Sequence, residues 1–102
     1  MALVLRRVFQ AKPGQADSLV TQFKEMNIVL ENQGIKTRVL TDYHSGRSDR
    51  VAVEWELNEV GDMDKALASV MSDPAQQKQF AAWESKLNSV IEYSDAENWS
   101  LR

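Results

Sequence analysis

The apolar residues of this chain recur with two different periods, and the period changes along the sequence. Residues 3–10 alternate at every second position, residues 16–32 carry apolar side chains at spacings of three and four, and residues 35–43 and 51–57 alternate again. Alternation is typical of strands, and spacings of three and four are typical of an amphipathic helix. The pattern of the first half of the chain therefore predicts a strand, a helix and two further strands, in that order.

The second half predicts two consecutive helices and a last strand. Met63 to Met71 forms a short helical pattern, and Asp73 followed by Pro74 is a typical helix start, with a capping carboxylate before a proline in the first turn. The helix that begins there carries apolar residues as far as Ile91, and Glu97–Leu101 is predicted as the final strand.

This order of elements is that of the split βαβ, or ferredoxin-like, α+β sandwich, with one domain spanning residues 1–102. The fold predicts a four-stranded antiparallel sheet in the spatial order 4-1-3-2. Strand 3 carries Glu54 and Glu56, and its predicted neighbours carry Arg6, Lys36 and Arg38. Because opposite charges on adjacent strands attract each other, these side chains are expected to form a cross-strand ladder of ion pairs.

That ladder also accounts for an uneven distribution of charge. Residues 1–51 carry eight basic and five acidic side chains, and residues 52–102 carry four basic and ten acidic ones, within a net charge of −3. The basic residues are dispersed and interleaved with acidic ones, and no pair of exposed aromatic residues is expected on strands 1 and 3. We therefore expect no nucleic acid as a partner.

The chain has no cysteine and a single histidine, His44, so it offers neither a thiolate zinc site nor a multi-histidine metal site within one copy. No metal and no cofactor is expected. No apolar stretch approaches the ~18 residues of a membrane span, and the start of the chain is not typical of an export signal. The expectation is a cytoplasmic protein with no membrane partner.

Two polar residues interrupt apolar patterns and are candidate ligand-binding residues. Asn27 lies near the centre of the apolar stripe of the first helix, where its amide is either tied to protein groups or orients a ligand oxygen. Arg7 shares the helix-facing side of strand 1 with Phe9; it either pairs with an acidic residue such as Glu84 or recognises an anion in a pocket.

Aromatic residues and the histidine complete the candidates. Tyr43 ends strand 2, and His44, which follows it, is a weak candidate for a general base. Trp55 and Trp83 are expected to face each other between sheet and helix, as core residues or as a ligand-stacking pair. Trp99 on the last strand is a candidate for the dimer interface or the mouth of a pocket.

The strand ending before Pro13-Gly14, the long helix, the hairpin Asp42-Tyr43-His44-Ser45-Gly46 and the helix Asp73-Pro74…Phe80-Ala-Ala-Trp83 resemble those of the dimeric α/β-barrel superfamily. Within it, the chain is most similar to NIPSNAP-type and antibiotic-biosynthesis-monooxygenase-like domains. The resemblance implies a homodimer formed through the open sheet face and a pocket near helices and sheet. Superfamily members include cofactor-free oxygenases, isomerases, haem-degrading enzymes and proteins of unknown role. A haem ligand role is not expected of the hairpin residue His44, although the asparagine and tryptophans keep that alternative open.

Two functions follow as hypotheses. The first is a small-molecule-binding domain with oxygenase or isomerase activity, whose pocket is lined by residues from the sheet and two helices: Arg7, Asn27, Tyr43, Trp55 and Trp83. It predicts that Asn27 and Arg7 are not both satisfied by protein groups. The second is a non-catalytic dimeric module of structural or regulatory role, with a filled core.

Overall fold

A computed structural model describes residues 2–42 and 47–102 of the chain. It contains seven elements, which are β1 (Leu3–Ala11), α1 (Ala16–Glu31), β2 (Lys36–Thr41), β3 (Arg50–Leu57), α2 (Asp62–Met71), α3 (Pro74–Val90) and β4 (Ile91–Ser100). The strands form one sheet in the order β2-β3-β1-β4, and every neighbouring pair is antiparallel. The predicted ferredoxin-like α+β fold and its strand order are confirmed.

The local signals explain most element boundaries. Gly34 follows α1 with φ of +85°, a backbone conformation that glycine adopts without the steric cost of a Cβ atom, and the Ile35 N–H returns to the carbonyl of Leu30 at 3.2 Å. Asp73 begins α3 as predicted, because its Oδ1 accepts a hydrogen bond from the Ala75 N–H at 3.0 Å. Pro74 then occupies the first turn, where its missing N–H costs nothing.

The last strand differs from the prediction. Ile91, assigned to the helix by its apolar pattern, instead has extended backbone angles and begins β4, which runs to Ser100 and not from Glu97 to Leu101. β4 is an edge strand with mostly exposed side chains, so its sequence carries no alternation of buried and exposed residues. Its backbone pairing with β1 along nearly the whole strand defines it.

The core lies between the sheet and the helices. One buried cluster is centred on Phe9 and Phe23, whose ring centroids are 4.8 Å apart, and a second is centred on Leu30 and Leu57. Trp55 packs against both clusters and so joins them.

The opposite side of the sheet is the open face, defined here by the strand residues whose side chains point away from the helices. The registers place on it Lys36, Arg38 and Leu40 of β2, Ala52, Glu54 and Glu56 of β3, Val4, Arg6 and Val8 of β1, and Tyr93, Asp95, Glu97 and Trp99 of β4. No helix of the described residues is long and apolar enough to cross a membrane.

Candidate functional site

Asn27 and Trp55, both candidates from the sequence, are brought together. The Trp55 indole Nε1 donates a hydrogen bond to Oδ1 of Asn27 at 3.1 Å, linking β3 to α1. Asn27 is buried, with 3% of its surface exposed. The Asn27 amide therefore has a protein partner. A buried amide without one would lose its hydrogen bonds to water and gain nothing in return, which destabilises the fold.

Arg7 lies on the same side of the sheet but points elsewhere. Its position on β1 is paired with Val53 and is diagonal to Trp55, which is paired with Leu5. The guanidinium lies over the ring of Phe9, 5.3 Å from the centroid, and Nη2 donates to Ser94 Oγ at 3.2 Å. These contacts take the place of the ion pair with Glu84 that the sequence suggested.

The exposure of Arg7 is unusual for its position. β1 is an inner strand, flanked by β3 and β4, and Arg7 faces the helices, yet its side chain is exposed. Its partner on β3, Val53, is fully buried, whereas its partner on β4, Ala96, is exposed. The helical layer therefore covers β3 and the Phe9 end of β1 but leaves Arg7 and the adjacent part of β4 exposed.

Trp83 occupies a separate place on the helix side. It is buried, its Nε1 donates to Oε2 of Glu25 on α1 at 3.3 Å, and Phe80 packs edge-on against it with centroids 5.2 Å apart. Trp55 and Trp83 thus bind two different α1 residues, Asn27 and Glu25, whose side chains are about 200° apart around a helix. The expected facing pair of tryptophans is not formed; Trp83 joins α3 to α1.

Tyr43 and His44 lie outside the described residues, so their role in a site stays a prediction. Among the described candidates, Asn27 and Trp55 form one unit, Arg7 forms a second with Phe9 and Ser94, and Trp83 forms a third. Asn27 and Arg7 each have a protein partner, but the bond to Ser94 uses only one of the five N–H donors of Arg7. That the two residues are not both satisfied by protein groups stays a prediction.

The sequence reasoning missed a buried carboxylate on the open face. Glu54 is only 4% exposed, although it points away from the helices. Its Oε2 lies 2.6 Å from Nη2 of Arg6, and its Oε1 accepts a hydrogen bond from Nη2 of Arg38. Charge alternation on neighbouring strands indicated the ion pairs of Glu54 with Arg6 and Arg38, which are confirmed. Lys36 and Glu56, described neighbours on β2 and β3 that the ladder also included, form no ion pair. Alternation did not indicate that two arginines would cover the carboxylate of Glu54.

The charge state of Glu54 follows from these contacts. Burial of the carboxylate raises its pKa, but the hydrogen bonds and positive charges of Arg6 and Arg38 act in the opposite direction and together prevail. The pKa of Glu54 is therefore lowered from its ordinary value, and the group is ionised at neutral pH.

Two shallow cavities flank this cluster on the open face. The larger has a volume of about 580 Å³ and lies at the β2 edge, where its lining includes Glu31, Gly34, Lys36, Arg38 and Glu54. The second, of about 340 Å³, is lined by Arg6, Val8, Leu40, Arg50 and Glu54 among others. Both contain Glu54, so the cavities and the ion-pair cluster belong to one surface.

Large apolar side chains are exposed on the same surface. Trp99 is 56% exposed, Tyr93 44% and Leu40 42%. The indole Nε1 of Trp99 donates to Oε1 of Glu97 at 2.9 Å, so the ring is held against the strand. An apolar surface of this kind, with an ion-pair cluster at its centre, is typical of an interaction site.

Comparison with known proteins places the fold. No protein-family model and no curated protein sequence matches the chain. Among solved structures, an uncharacterised NIPSNAP domain protein from Burkholderia xenovorans is similar over 98% of this chain and 94% of its own, with 16% identity and a TM-score of 0.75.

Two further structures carry names that refer to an activity. SnoaB, a cofactor-independent oxygenase from Streptomyces nogalater, is similar over 99% of this chain and 93% of its own, with 14% identity and a TM-score of 0.72. A putative antibiotic biosynthesis monooxygenase from Chloroflexus aurantiacus is similar over 100% and 94%, with 16% identity and a TM-score of 0.71. The chain therefore has the fold of NIPSNAP and antibiotic-biosynthesis-monooxygenase-like proteins, and the predicted resemblance is confirmed at that level.

Proposed function

We propose that this protein is a homodimeric small-molecule-binding protein, with its two sheets packed through their open faces and an anion-recognising site around Arg7 in each copy. The observation that carries the ligand site is the exposed guanidinium of Arg7 on an inner strand, on the helix-facing side of the sheet. One face of that guanidinium lies on Phe9, and one N–H reaches Ser94.

The chemistry of Arg7 favours a carboxylate ligand. A guanidinium has five N–H donors in a rigid, planar arrangement, and the bond to Ser94 uses one of them. Two of the remaining donors on one edge can bind both oxygens of a carboxylate. Trp55 lies diagonal to Arg7 on the same sheet face and is partly exposed, so it supplies aromatic surface, whereas Phe9 is buried beneath the guanidinium. We therefore infer that the ligand combines a carboxylate with a flat apolar or aromatic body.

An oxygenase or isomerase activity is the finer form of this proposal. Its support is the fold shared with SnoaB, described as a cofactor-independent oxygenase, and with a putative antibiotic biosynthesis monooxygenase. At these identities the likeness concerns the fold, so the activity depends on this chain's own residues. His44 remains the candidate base on sequence grounds.

The test compares matched ligands and matched variants. Native mass spectrometry and isothermal titration with 2-naphthoate and its neutral analogue 2-naphthamide should show binding of the acid only, at one molecule per chain. Arg7→Gln should remove that binding, and Glu84→Gln, on the neighbouring helix, should retain it. Equal affinity for acid and amide would contradict an anion site at Arg7; oxygen uptake in the presence of a bound acid would support the oxygenase form.

A second candidate function is a dimeric module with no ligand, and a specific contact favours it. Asn27 and Trp55 satisfy each other inside the core, as a structural amide would. This alternative predicts the same homodimer and no ligand in the Arg7 region. If neither a panel of aromatic carboxylates nor material copurified with the protein occupies that region, the module is the better account.

A further inference from the structure

Four charged residues form a single line across the open face of the sheet. The registers pair Arg38 with Glu54, Glu54 with Arg6 and Arg6 with Glu97, one residue from each strand. All three neighbouring pairs are ion-paired, with Arg6 Nη1 at 3.7 Å from Glu97 Oε1. We call this line, Arg38-Glu54-Arg6-Glu97, the charged row; its signs alternate from plus at the β2 edge to minus at the β4 edge.

From this alternation we propose that the charged row sets the relative orientation of the two copies in the dimer, with Arg38 of each copy paired with the partner's Glu97. The inference rests on the proposed homodimer and specifies how its open faces meet. Arg38 is the most exposed member of the row, at 71%, and Glu97 and Arg6 are 41% and 39% exposed, while Glu54 is 5% exposed. Arg6 is already paired on both sides within the row, so the two ends, each with one neighbour in the row, are the groups available to a partner.

A symmetry argument selects the orientation. Two identical sheet faces that pack with their strands aligned are related by a two-fold axis that runs along the strands or across them. An axis along the strands reverses the strand order between copies, so that every member of the charged row lies over a member of opposite sign. An axis along the row places each member over its own equivalent, so that like charges oppose along the entire row. Like charges brought together in an interface cost several kcal/mol, and the second arrangement is therefore disfavoured.

The two ends of the neighbouring row agree with the first arrangement, while its inner members, Glu56 and Val4, come opposite each other and gain no ion pair. That row runs Lys36, Glu56, Val4, Trp99 across the sheet. Rotation about the axis along the strands carries Lys36 over the exposed ring of the partner's Trp99, where a cation–π contact is favourable. On the other side of the charged row, Asp95 of one copy comes opposite Leu40 of the partner subunit and gains no ion pair. The preference for this orientation therefore comes from the charged row and from Trp99.

Cross-linking tests the orientation directly, because the chain has no cysteine of its own. Packed sheets lie about 10 Å apart, too far for a disulfide, so a short bis-maleimide is the suitable reagent. Arg38→Cys and Glu97→Cys, each with a different affinity tag, are coexpressed, and the mixed dimer is isolated through both tags. In that dimer one Arg38–Glu97 pair is replaced by two cysteines, and the other pair remains intact.

The expected result is a cross-linked mixed dimer and no cross-link in either variant alone. In the proposed arrangement the two copies of residue 38 are offset sideways by about 14 Å, three strand spacings, in addition to the gap between sheets. Cross-linking of Arg38→Cys with itself would overturn the proposal in favour of the other axis. A mixed dimer that does not cross-link would overturn the orientation alone.

A monomer in light scattering of the unmodified protein would instead overturn the proposed homodimer, so the two failures are distinguishable. A second measurement avoids cysteine chemistry. Glu97→Gln should raise the dimer dissociation constant about tenfold at low salt, because two exposed pairs are lost per dimer, and the difference should shrink at high salt. An unchanged dissociation constant would contradict the proposed pairing.

Discussion

The indole N–H of Trp55 and the side-chain oxygen of Asn27 form a hydrogen bond of 3.1 Å that ties the middle of the sheet to α1. Trp55 also packs against both halves of the core. The bond therefore fixes the distance and rotation of the long helix relative to β3. Within residues 2–42 and 47–102, it is the one contact that joins two residues selected from the sequence as ligand candidates, and it gives both a structural role.

A double-mutant cycle should measure this contact. Asn27→Leu leaves the Trp55 N–H without its acceptor and should lower the free energy of unfolding by about 1–3 kcal/mol. Trp55→Phe removes the N–H together with part of a large ring. Because both partners are absent from the double variant, its loss should be smaller than the sum of the single losses by about 1 kcal/mol. Urea unfolding of the four proteins is the measurement; additive losses would show that the bond contributes nothing.

Some features of the candidate site could be predicted from the sequence, and others depend on how the elements pack. Asn27 could be recognised because a polar residue in an apolar stripe departs from a strong local pattern. Its partner could not, since the direction of the Trp55 N–H depends on how β3 packs against α1. The burial of Glu54 also escaped prediction. Alternation places Glu54 on the open face, where exposure is expected. Its burial results from the side chains of Arg6 and Arg38, which cover it, and alternation does not determine where those side chains lie.

The start of β4 escaped prediction for a different reason. An edge strand with exposed side chains on both faces has no hydrophobic period, and Ile91 continues the apolar spacing of α3. Only pairing of its backbone with β1 defines the strand. By contrast, the strand order, the ion pairs of Glu54 with Arg6 and Arg38, and the helix start at Asp73 followed from residue types at fixed positions, and all three are confirmed.

Replacement of Glu54 should lower stability in a pH-dependent way. The pKa of Glu54 in the folded protein is below its ordinary value, so its contribution is present above the unfolded-state pKa of about 4.3 and is lost as the pH falls through the lower folded value. Glu54→Gln should cost about 1–3 kcal/mol at pH 7, because two hydrogen bonds to charged groups are weakened.

The difference in unfolding free energy between the Glu54→Gln variant and the unmodified protein should shrink as the pH falls below about 4. Denaturant titrations at pH 7 and pH 3.5, at one protein concentration, give that difference. Glu56→Gln is the matched control, since it lies on the same face of β3 two residues further along. A difference between Glu54→Gln and the unmodified protein that stays constant over this range would contradict an ionised Glu54 between two arginines.

Arg7 should matter for binding far more than for folding. Its side chain is exposed, and its contacts are one hydrogen bond and the ring of Phe9, so Arg7→Gln should change the unfolding free energy by no more than about 0.5–1 kcal/mol. Affinity for an aromatic carboxylate should fall at least about tenfold, because the bidentate charged contact is lost. Thermal unfolding and titration calorimetry on the same samples separate the two effects. A large loss of stability with unchanged affinity would identify Arg7 as a structural residue.

The start of α3 depends on one side chain. Oδ1 of Asp73 accepts from the Ala75 N–H at 3.0 Å, and Asp73→Ala should lower the unfolding free energy by about 0.5–2 kcal/mol. Asp73→Ser retains a capping oxygen and should recover most of that loss. If the serine variant is as unstable as the alanine variant, the carboxylate acts through its charge and not through the cap.

Trp99 offers the sharpest test of the open face as an interface. The side chain is 56% exposed in a single copy, so Trp99→Ser should leave the intrinsic folding of one chain nearly unchanged. If two copies pack through this face, the ring is buried at their contact. Aromatic residues at such positions contribute about 2 kcal/mol or more each to association, and the dimer contains two of them, so the dissociation constant should rise by a factor of at least about 30.

Ile28 on α1 is a matched control for Trp99, because it is 57% exposed and lies on the helical layer away from the open face. Ile28→Ser should leave the dissociation constant unchanged. Sedimentation velocity over a range of protein concentrations gives that constant for all three proteins. Equal weakening by Ile28→Ser and Trp99→Ser would place the contact outside the open face, and no weakening by Trp99→Ser would exclude the edge strand β4 from it. If Trp99→Ser weakens the dimer and Ile28→Ser does not, β4 lies against the partner. The proposed pairing of Glu97 with Arg38 of the partner subunit requires that position of β4.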